Sequence, residues 1–193
     1  MKAVILAGGT GSRLHPLTRI TNKHLLPIYD RPMVTYAIEA IVSAGISELM
    51  LVTGGTHAGE FFRLLGDGHA HGIDRLSYAY QERESGIADA LGLAERFAGG
   101  DRVTRIVEKP EQPPSDFAVT GLYFYDSAVF EFLPTLSPSA RGELEITDVN
   151  NWFVEQGTME YDVAQGFWGD AGESIDAYYA VNDYVRANGA NKP

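Results

Sequence analysis

The run Ala3-Val4-Ile5-Leu6-Ala7-Gly8-Gly9-Thr10-Gly11-Ser12-Arg13 decides how the rest of the chain is read. Five apolar residues in succession suit a strand covered on both faces, as in a parallel sheet. The glycines that follow at once let backbone N–H groups approach an anion with no Cβ in the way. Arg13 and, further on, Lys23 are fixed cations of the kind that stabilise charge developing in phosphoryl or nucleotidyl transfer. Taken alone, the run is equally a tight strand-to-helix turn with two solvated basic residues, and a lone glycine-rich turn favours that plainer reading. The two common nucleotide motifs are excluded. No Gly-Lys-Ser or Gly-Lys-Thr follows, and the dinucleotide spacing from Gly9 would need a glycine where Leu14 stands.

Outward from this run, periodicity predicts a βαβαβα order. The first strand is Lys2–Ala7. Asp30 is placed as the N-cap, and Pro32 in the first turn, of a helix with Met33, Ala37, Ala40, Ile41 and Ala44 inward, stopped by Gly45. A strand at Glu48–Thr53 and a helix at His57–Leu65, with Phe61, Phe62, Leu64 and Leu65 inward, come next. A strand at Leu76–Gln81 and a helix at Ile87–Phe97 complete a rhythm typical of a doubly wound, mostly parallel, Rossmann-like α/β sheet. Then the pattern breaks. Where a wholly apolar central strand is due, Arg102-Val103-Thr104-Arg105-Ile106-Val107-Glu108 is amphipathic and reads as an edge or antiparallel strand. Beyond it a strong strand is expected over Phe117–Tyr125, with Gly121 as a bulge or close approach. Helices are expected at Ala128–Leu133 and from Ile146 to Gly157, and a strand at Glu160–Val163. A last helix over Ser174–Ala187 should bury Ile175, Tyr178, Tyr179, Val181 and Val185.

The composition narrows the function. At 193 residues the chain can bury a real core and reads as a single domain, 1–193. Its 45 % hydrophobic and 21 % charged residues argue against disorder. A net charge of −11 speaks against a nucleic-acid binder, which would carry a basic stripe. With no cysteine there is no disulfide framework and no Cys-ligated zinc, which fits the cytoplasm. The amino terminus has no signal-peptide pattern, and no apolar run approaches the ~18 residues of a membrane span.

Leu6-Ala7-Gly8-Gly9-Thr10-Gly11-Ser12-Arg13-Leu14, followed by Lys23-His24-Leu25-Leu26-Pro27-Ile28-Tyr29-Asp30, closely resembles the sugar nucleotidyltransferases, most nearly their glucose-1-phosphate thymidylyltransferase branch. Leu65-Gly66-Asp67-Gly68, Gln81 with Gly86, and Glu108-Lys109-Pro110 continue the resemblance in order. Val119-Thr120-Gly121-Leu122-Tyr123-Phe124-Tyr125-Asp126, Arg141-Gly142-Glu143-Leu144-Glu145-Ile146-Thr147-Asp148 and Trp168-Gly169-Asp170-Ala171-Gly172 carry it through nearly the whole chain. The resemblance implies a doubly wound domain with a small antiparallel sugar-binding portion. It implies a reaction with no side-chain nucleophile: the phosphate of a sugar 1-phosphate attacks the α-phosphorus of a nucleoside triphosphate, and pyrophosphate leaves. Alignment and charge stabilisation, by cations and Mg2+, then carry catalysis. The implied substrates are dTTP and glucose 1-phosphate or a related hexose 1-phosphate. A UTP- or CTP-using relative is the runner-up, and a nucleotide-sugar binding module without turnover is the alternative from another class.

Carried across residue by residue, the resemblance makes Arg13, Lys23 and Lys109 the catalytic cations. Leu6, Gly8, Gly9, Gly11, Arg13, Lys23, Gln81 and Gly86 become the nucleotide site, with the Gln81 amide pairing as donor and acceptor with a pyrimidine edge. Glu108, Lys109, Val119 and Tyr123 become the sugar-phosphate site, although Val119 and Tyr123 are equally good core residues. Asp170 matches the family's carboxyl-terminal magnesium ligand, while a turn aspartate is its plainer reading. Glu143, Glu145 and Asp148 read as helix-start acids rather than catalysts. His69 and His71 read as solvent-facing, and His24 stands where the family commonly carries glutamine. The family's second magnesium aspartate, in a Gly-Asp-Asn-like turn, has no match. About fifty family residues are absent after Asp101, where the doubly wound rhythm itself fails. The resemblance also implies a homo-oligomer, a dimer or tetramer, with weak product feedback, and neither nucleic acid nor membrane as a partner.

Overall fold

The computed structural model describes residues 2–81, 119–159, 164 and 166–191. Its elements run β1 (Ala3–Ala7), β2 (Pro27–Ile28), β3 (Arg31–Pro32), α1 (Met33–Ser43), β4 (Glu48–Gly54), α2 (Ala58–Leu65), β5 (Arg75–Gln81), α3 (Ala128–Phe132), α4 (Ile146–Glu155) and α5 (Ile175–Asn188). The chain divides into two compact units, one of Met1–Glu84 with Gly169–Pro193, the other of Ser85–Trp168.

In the first unit β1, β4 and β5 form a parallel sheet with β4 in the middle. Ala7 pairs with Thr53, and Gly54 with Gln81, so the three strands finish nearly level. The loops leaving them therefore gather at the carboxyl edge, where open α/β sheets bind ligands. The central strand is the most buried, as its near-continuous Leu-Met-Leu-Val run requires. Ala7, Leu49 and Leu51 from the sheet pack with Val34 and Ile38 of α1, Phe61 and Leu65 of α2, and Ile73. The mostly parallel α/β architecture is as expected, and strand ends fall within a residue of their predicted places.

A second apolar cluster lies under the glycine loop. It joins Leu14, Leu26 and Ile28 to Ala171 and to Tyr178 and Val185 of α5. Each of its first and last loops carries a charged site residue next in sequence: Leu14 follows Arg13, and Ala171 follows Asp170.

Several local expectations are corrected. Asp30 does not cap α1. It sits in the two-residue turn between the antiparallel strands β2 and β3, where its carboxylate accepts the Tyr36 hydroxyl at 3.0 Å. Helix α1 starts instead at Met33, after Pro32, with no side-chain cap. Its buried face is Val34, Thr35 and Ile38, while Ala37, Ala40 and Ala44 are exposed. Small alanines are tolerated on either face, so they misled the helical spacing. Phe62 and Tyr179, expected inside, are 62 % and 56 % exposed. Phe62 lays its ring over Tyr78, centroids 5.3 Å apart.

In the second unit α3 and α4 bury Val129, Phe130, Ile146, Val149 and Phe153 with Met159. Arg141 donates to both carboxylate oxygens of Glu145, at 3.1 and 2.7 Å, and Ser139 donates to the same carboxylate at 2.6 Å. Glu145 is thus a buried structural anchor before α4. The strand expected up to Tyr125 is absent among the described residues: 119–126 carries no ladder. Gly121, with φ 79°, breaks extended geometry there. The elements expected at Ile87–Phe97, Arg102–Glu108 and Glu160–Val163 lie outside the described residues.

Candidate functional site

The glycine loop leaves β1 at the level carboxyl edge of the sheet. A Cβ on Gly8 would stand 2.7 Å from Gln81 Oε1, and a Cβ on Gly54 would stand 2.7 Å from the Gln81 carbonyl oxygen. Gln81, 8 % exposed at the end of β5, therefore occupies a slot that only two glycines leave open. The sheet brings Leu6, Gly8 and Gln81 to one edge.

Past Gly8 the loop is tied down from beneath. The buried Asn22 amide donates to the carbonyls of Ala7 at 2.9 Å and Gly9 at 3.4 Å. The Thr18 hydroxyl donates to the Gly11 carbonyl at 2.7 Å, and the Leu14 N–H donates to it at 2.9 Å. These bonds use up carbonyl oxygens at 7, 9 and 11, so the loop's acceptors turn inward. Gly11 holds φ 65°, a left-handed backbone that favours glycine. A Cβ there would also press at 3.0 Å on the Cβ of Lys23, so the loop and the lysine touch.

Lys23 begins a 3-10 turn capped by Asn22, whose side-chain Oδ1 accepts the His24 N–H at 2.9 Å and the His24 Nδ1–H at 3.0 Å. The Lys23 Nζ lies 3.1 Å, and Asp170 Oδ1 3.2 Å, from where a Cβ of Gly172 would be. The two charges are therefore no more than about 6.3 Å apart. Burial holds the Lys23 pKa below its ordinary value; Asp170 pulls it back up, and the Arg13 guanidinium pushes it down. A cation confined between a like and an unlike charge suits binding of a polyanion, which relieves both the burial and the repulsion. The Asp170 carboxylate accepts the Gly172 N–H at 2.8 Å and is exposed. His24 is held neutral, its pKa lowered to about 3 by burial and by the Lys23 charge.

Of the predicted site residues, Leu6, Gly8, Gly9, Gly11, Arg13, Lys23, Gln81 and Asp170 lie together in the first unit. Gly86, Glu108 and Lys109 lie outside the described residues. In the second unit Val119 is exposed, and Tyr123 is half-buried with its ring stacked on Tyr125 at 5.9 Å. Sequence reasoning missed Thr18, Asn22, Gly54 and Gly172. Gly172 had a signal, since it closes the Asp170-Ala171-Gly172 turn; a buried Asn or Thr in an irregular loop leaves none.

A glycine loop at the carboxyl edge of a parallel sheet, with two cations, a carboxylate and a buried amide beside it, is the arrangement in which open α/β folds hold their ligands. Residues 2–102 and 92–188 match the nucleotidyl transferase family, and the chain belongs to that family. It is 37 % identical to the glucose-1-phosphate thymidylyltransferase of Neisseria meningitidis serogroup A, over 94 % of this chain and 82 % of that protein. It is 38 % identical to the enzyme of that name from an Actinoplanes species, over 97 % and 78 % of the two chains. A Bacillus anthracis chain assigned as a glucose-1-phosphate thymidylyltransferase and crystallised with a sucrose superposes with a TM-score of 0.88 at 37 % identity, covering 100 % of this chain and 98 % of its own. The Neisseria alignment runs over 236 positions, whereas 94 % of 193 residues is about 181, so about 55 positions have no counterpart here. Among the described residues no helix is long and apolar enough to cross a membrane.

Proposed function

We propose that the chain binds dTTP and glucose 1-phosphate and transfers the thymidylyl group, giving dTDP-glucose and pyrophosphate in the cytoplasm. The observation that carries this reading is the convergence of Gly8, Gly11, Arg13 and Lys23 beside the recessed Gln81. The loop N–H groups and Arg13 receive the β- and γ-phosphates. Lys23, released from its repulsion with Arg13 when phosphate arrives, stabilises the charge shed onto pyrophosphate. Gln81 presents a donor and an acceptor to the pyrimidine edge. Lys109 and Glu108 hold the sugar phosphate in this reading, with Val119 and Tyr123 lining the sugar.

Magnesium fits the site in part. Asp170 supplies one carboxylate, and the described residues contain no cluster of three or more His, Cys, Asp or Glu that could complete a shell. Mg2+ is commonly held by one or two carboxylates together with substrate phosphates and water. When bound with nucleotide it would neutralise phosphate charge next to Asp170.

The test is to supply dTTP, glucose 1-phosphate and Mg2+ and to follow pyrophosphate release and dTDP-glucose by mass. Equal or better turnover with UTP replaces thymidylyl by uridylyl transfer. A second reading, a nucleotide-sugar binding protein without turnover, is favoured by the roughly 55 unmatched positions and by a family match that comes as two stretches meeting at 92–102. Binding of dTDP-glucose with no pyrophosphate released selects it.

A further inference from the structure

The two lysines among the described residues are placed very differently. The Lys2 amine pairs with the Glu48 carboxylate at 3.6 Å. The Lys23 amine has neither an ion pair nor a hydrogen bond among the described residues, although Asp170 and Arg13 both act on it electrostatically. It is half-buried. Burial, opposed by Asp170 and aided by Arg13, favours its neutral form. A lysine that is desolvated or set beside another cation is an activated nucleophile.

What stands beside this amine decides what it meets. The Lys23 Cβ lies 3.0 Å from where a Cβ of Gly11 would be, so the side chain leaves the backbone against the glycine loop. The loop carbonyls of Ala7, Gly9 and Gly11 are bonded by Asn22 and Thr18. That leaves the loop rich in N–H groups, which suit an anion. A nucleophile next to a phosphate cradle favours one kind of electrophile, a carbonyl carbon joined through a single oxygen to a phosphate.

We propose that Lys23 is a site of covalent acylation by acyl phosphates. The loop N–H groups and Arg13 hold the phosphate end, which sets the carbonyl carbon beside the amine. The Nζ lone pair attacks that carbon and a C–N bond forms. The C–O bond to phosphate breaks, and phosphate leaves as monohydrogen phosphate carrying the proton that the amine gives up. The product is an amide with no charge, standing where Lys23 met phosphate, so acylation shuts the site. The inference rests on the phosphate role of the glycine loop proposed above and adds to it a modification that needs no turnover.

The experiment treats the purified chain with acetyl phosphate and reads the rate of acetylation at each lysine by peptide mass spectrometry. It is run with and without inorganic pyrophosphate, whose own binding is measured by calorimetry. Lys23 should acetylate about tenfold faster than Lys2, or more. Saturating pyrophosphate should slow Lys23 by about tenfold or more and leave Lys2 unchanged. p-Nitrophenyl acetate, an acyl donor with no phosphate, should show a preference for Lys23 at least threefold smaller. Chain acetylated at Lys23 should bind pyrophosphate about tenfold more weakly. Pyrophosphate that fails to bind the untreated chain overturns the loop's phosphate role and this proposal together. Three results obtained while pyrophosphate does bind overturn the acylation alone: Lys23 reacting no faster than Lys2, Lys23 left unprotected, or an equal preference with p-nitrophenyl acetate.

Discussion

The side-chain carbonyl of Asn182 accepts the backbone N–H of Tyr29 at 2.6 Å across 153 residues of sequence. Tyr29 holds φ 56°, a left-handed conformation unusual for a bulky residue. Tyr178, one turn earlier on α5, donates its hydroxyl to the Pro27 carbonyl and accepts the Asn182 amide on its own carbonyl. Helix α5 thus clamps the β2–β3 hairpin that follows Lys23 directly. Asn182→Ala should cost about 1 kcal/mol in urea denaturation and weaken pyrophosphate binding through the displaced Lys23 segment. Asn182→Asp keeps the acceptor, so equal losses for the two variants would refute the clamp.

Gly8→Ala and Gly54→Ala should separate in effect. At Gly8 the obstacle is the end of the flexible Gln81 side chain; at Gly54 it is the Gln81 backbone. Gly8→Ala should therefore leave the melting temperature nearly unchanged and lower pyrimidine nucleotide affinity about tenfold or more. Gly54→Ala must shift backbone at the end of the central strand and should cost about 1–3 kcal/mol of stability. Thermal denaturation and nucleotide titration on the same pair of variants check both.

Lys23 reports on its two charged neighbours with opposite signs. Asp170→Asn removes an upward pull, so the Lys23 pKa should fall further; Arg13→Ala removes a downward push, so it should rise. NMR titration of the labelled lysine side chain reads both. Shifts of the same sign would show that the loop, and not the charges, had moved.

Acid should destabilise the fold in part through His24. Its pKa is about 3 when folded and about 6.5 when unfolded, so between these values the unfolded chain binds more protons. Its stabilising contribution is complete above pH 6.5 and is lost as pH falls toward 3, at no more than about 1.4 kcal/mol per pH unit. His24→Gln keeps an N–H able to reach Asn22 and does not titrate. The difference in stability between the two proteins should therefore grow on acidification below pH 6.5, and a constant difference would sink the assignment.

The parallel sheet was legible because Val4-Ile5-Leu6 and Leu49-Met50-Leu51-Val52 are runs that only a doubly covered strand tolerates. Gly45 was legible as a stop, and it does hold φ 77° just after α1. The inner face of α1 was not, because alanine carries almost no directional signal while Val34 and Ile38 do the packing. Arg13, Lys23 and Asp170 were singled out through their motifs, and the structure brings them near one another. Their supports, Asn22, Thr18 and Asn182, act through hydrogen bonds to backbone, and such bonds leave no periodicity behind. Phe117–Tyr125 was read as a strand from its run of apolar and aromatic residues. Among the described residues no ladder includes 119–125, because pairing depends on a second strand that a single stretch of sequence does not specify.

The apolar cluster beneath the glycine loop has a consequence for synthesis. Leu14, Leu26 and Ile28 leave the ribosome early, while Ala171, Tyr178 and Val185 emerge about 140 residues later. At bacterial or eukaryotic elongation rates that interval is on the order of ten seconds. For that time the parallel strands can assemble, but the loop's floor stays open to solvent and to chaperones. The glycine loop gains its apolar floor only when α5 arrives, so premature termination within α5 leaves the loop without that support.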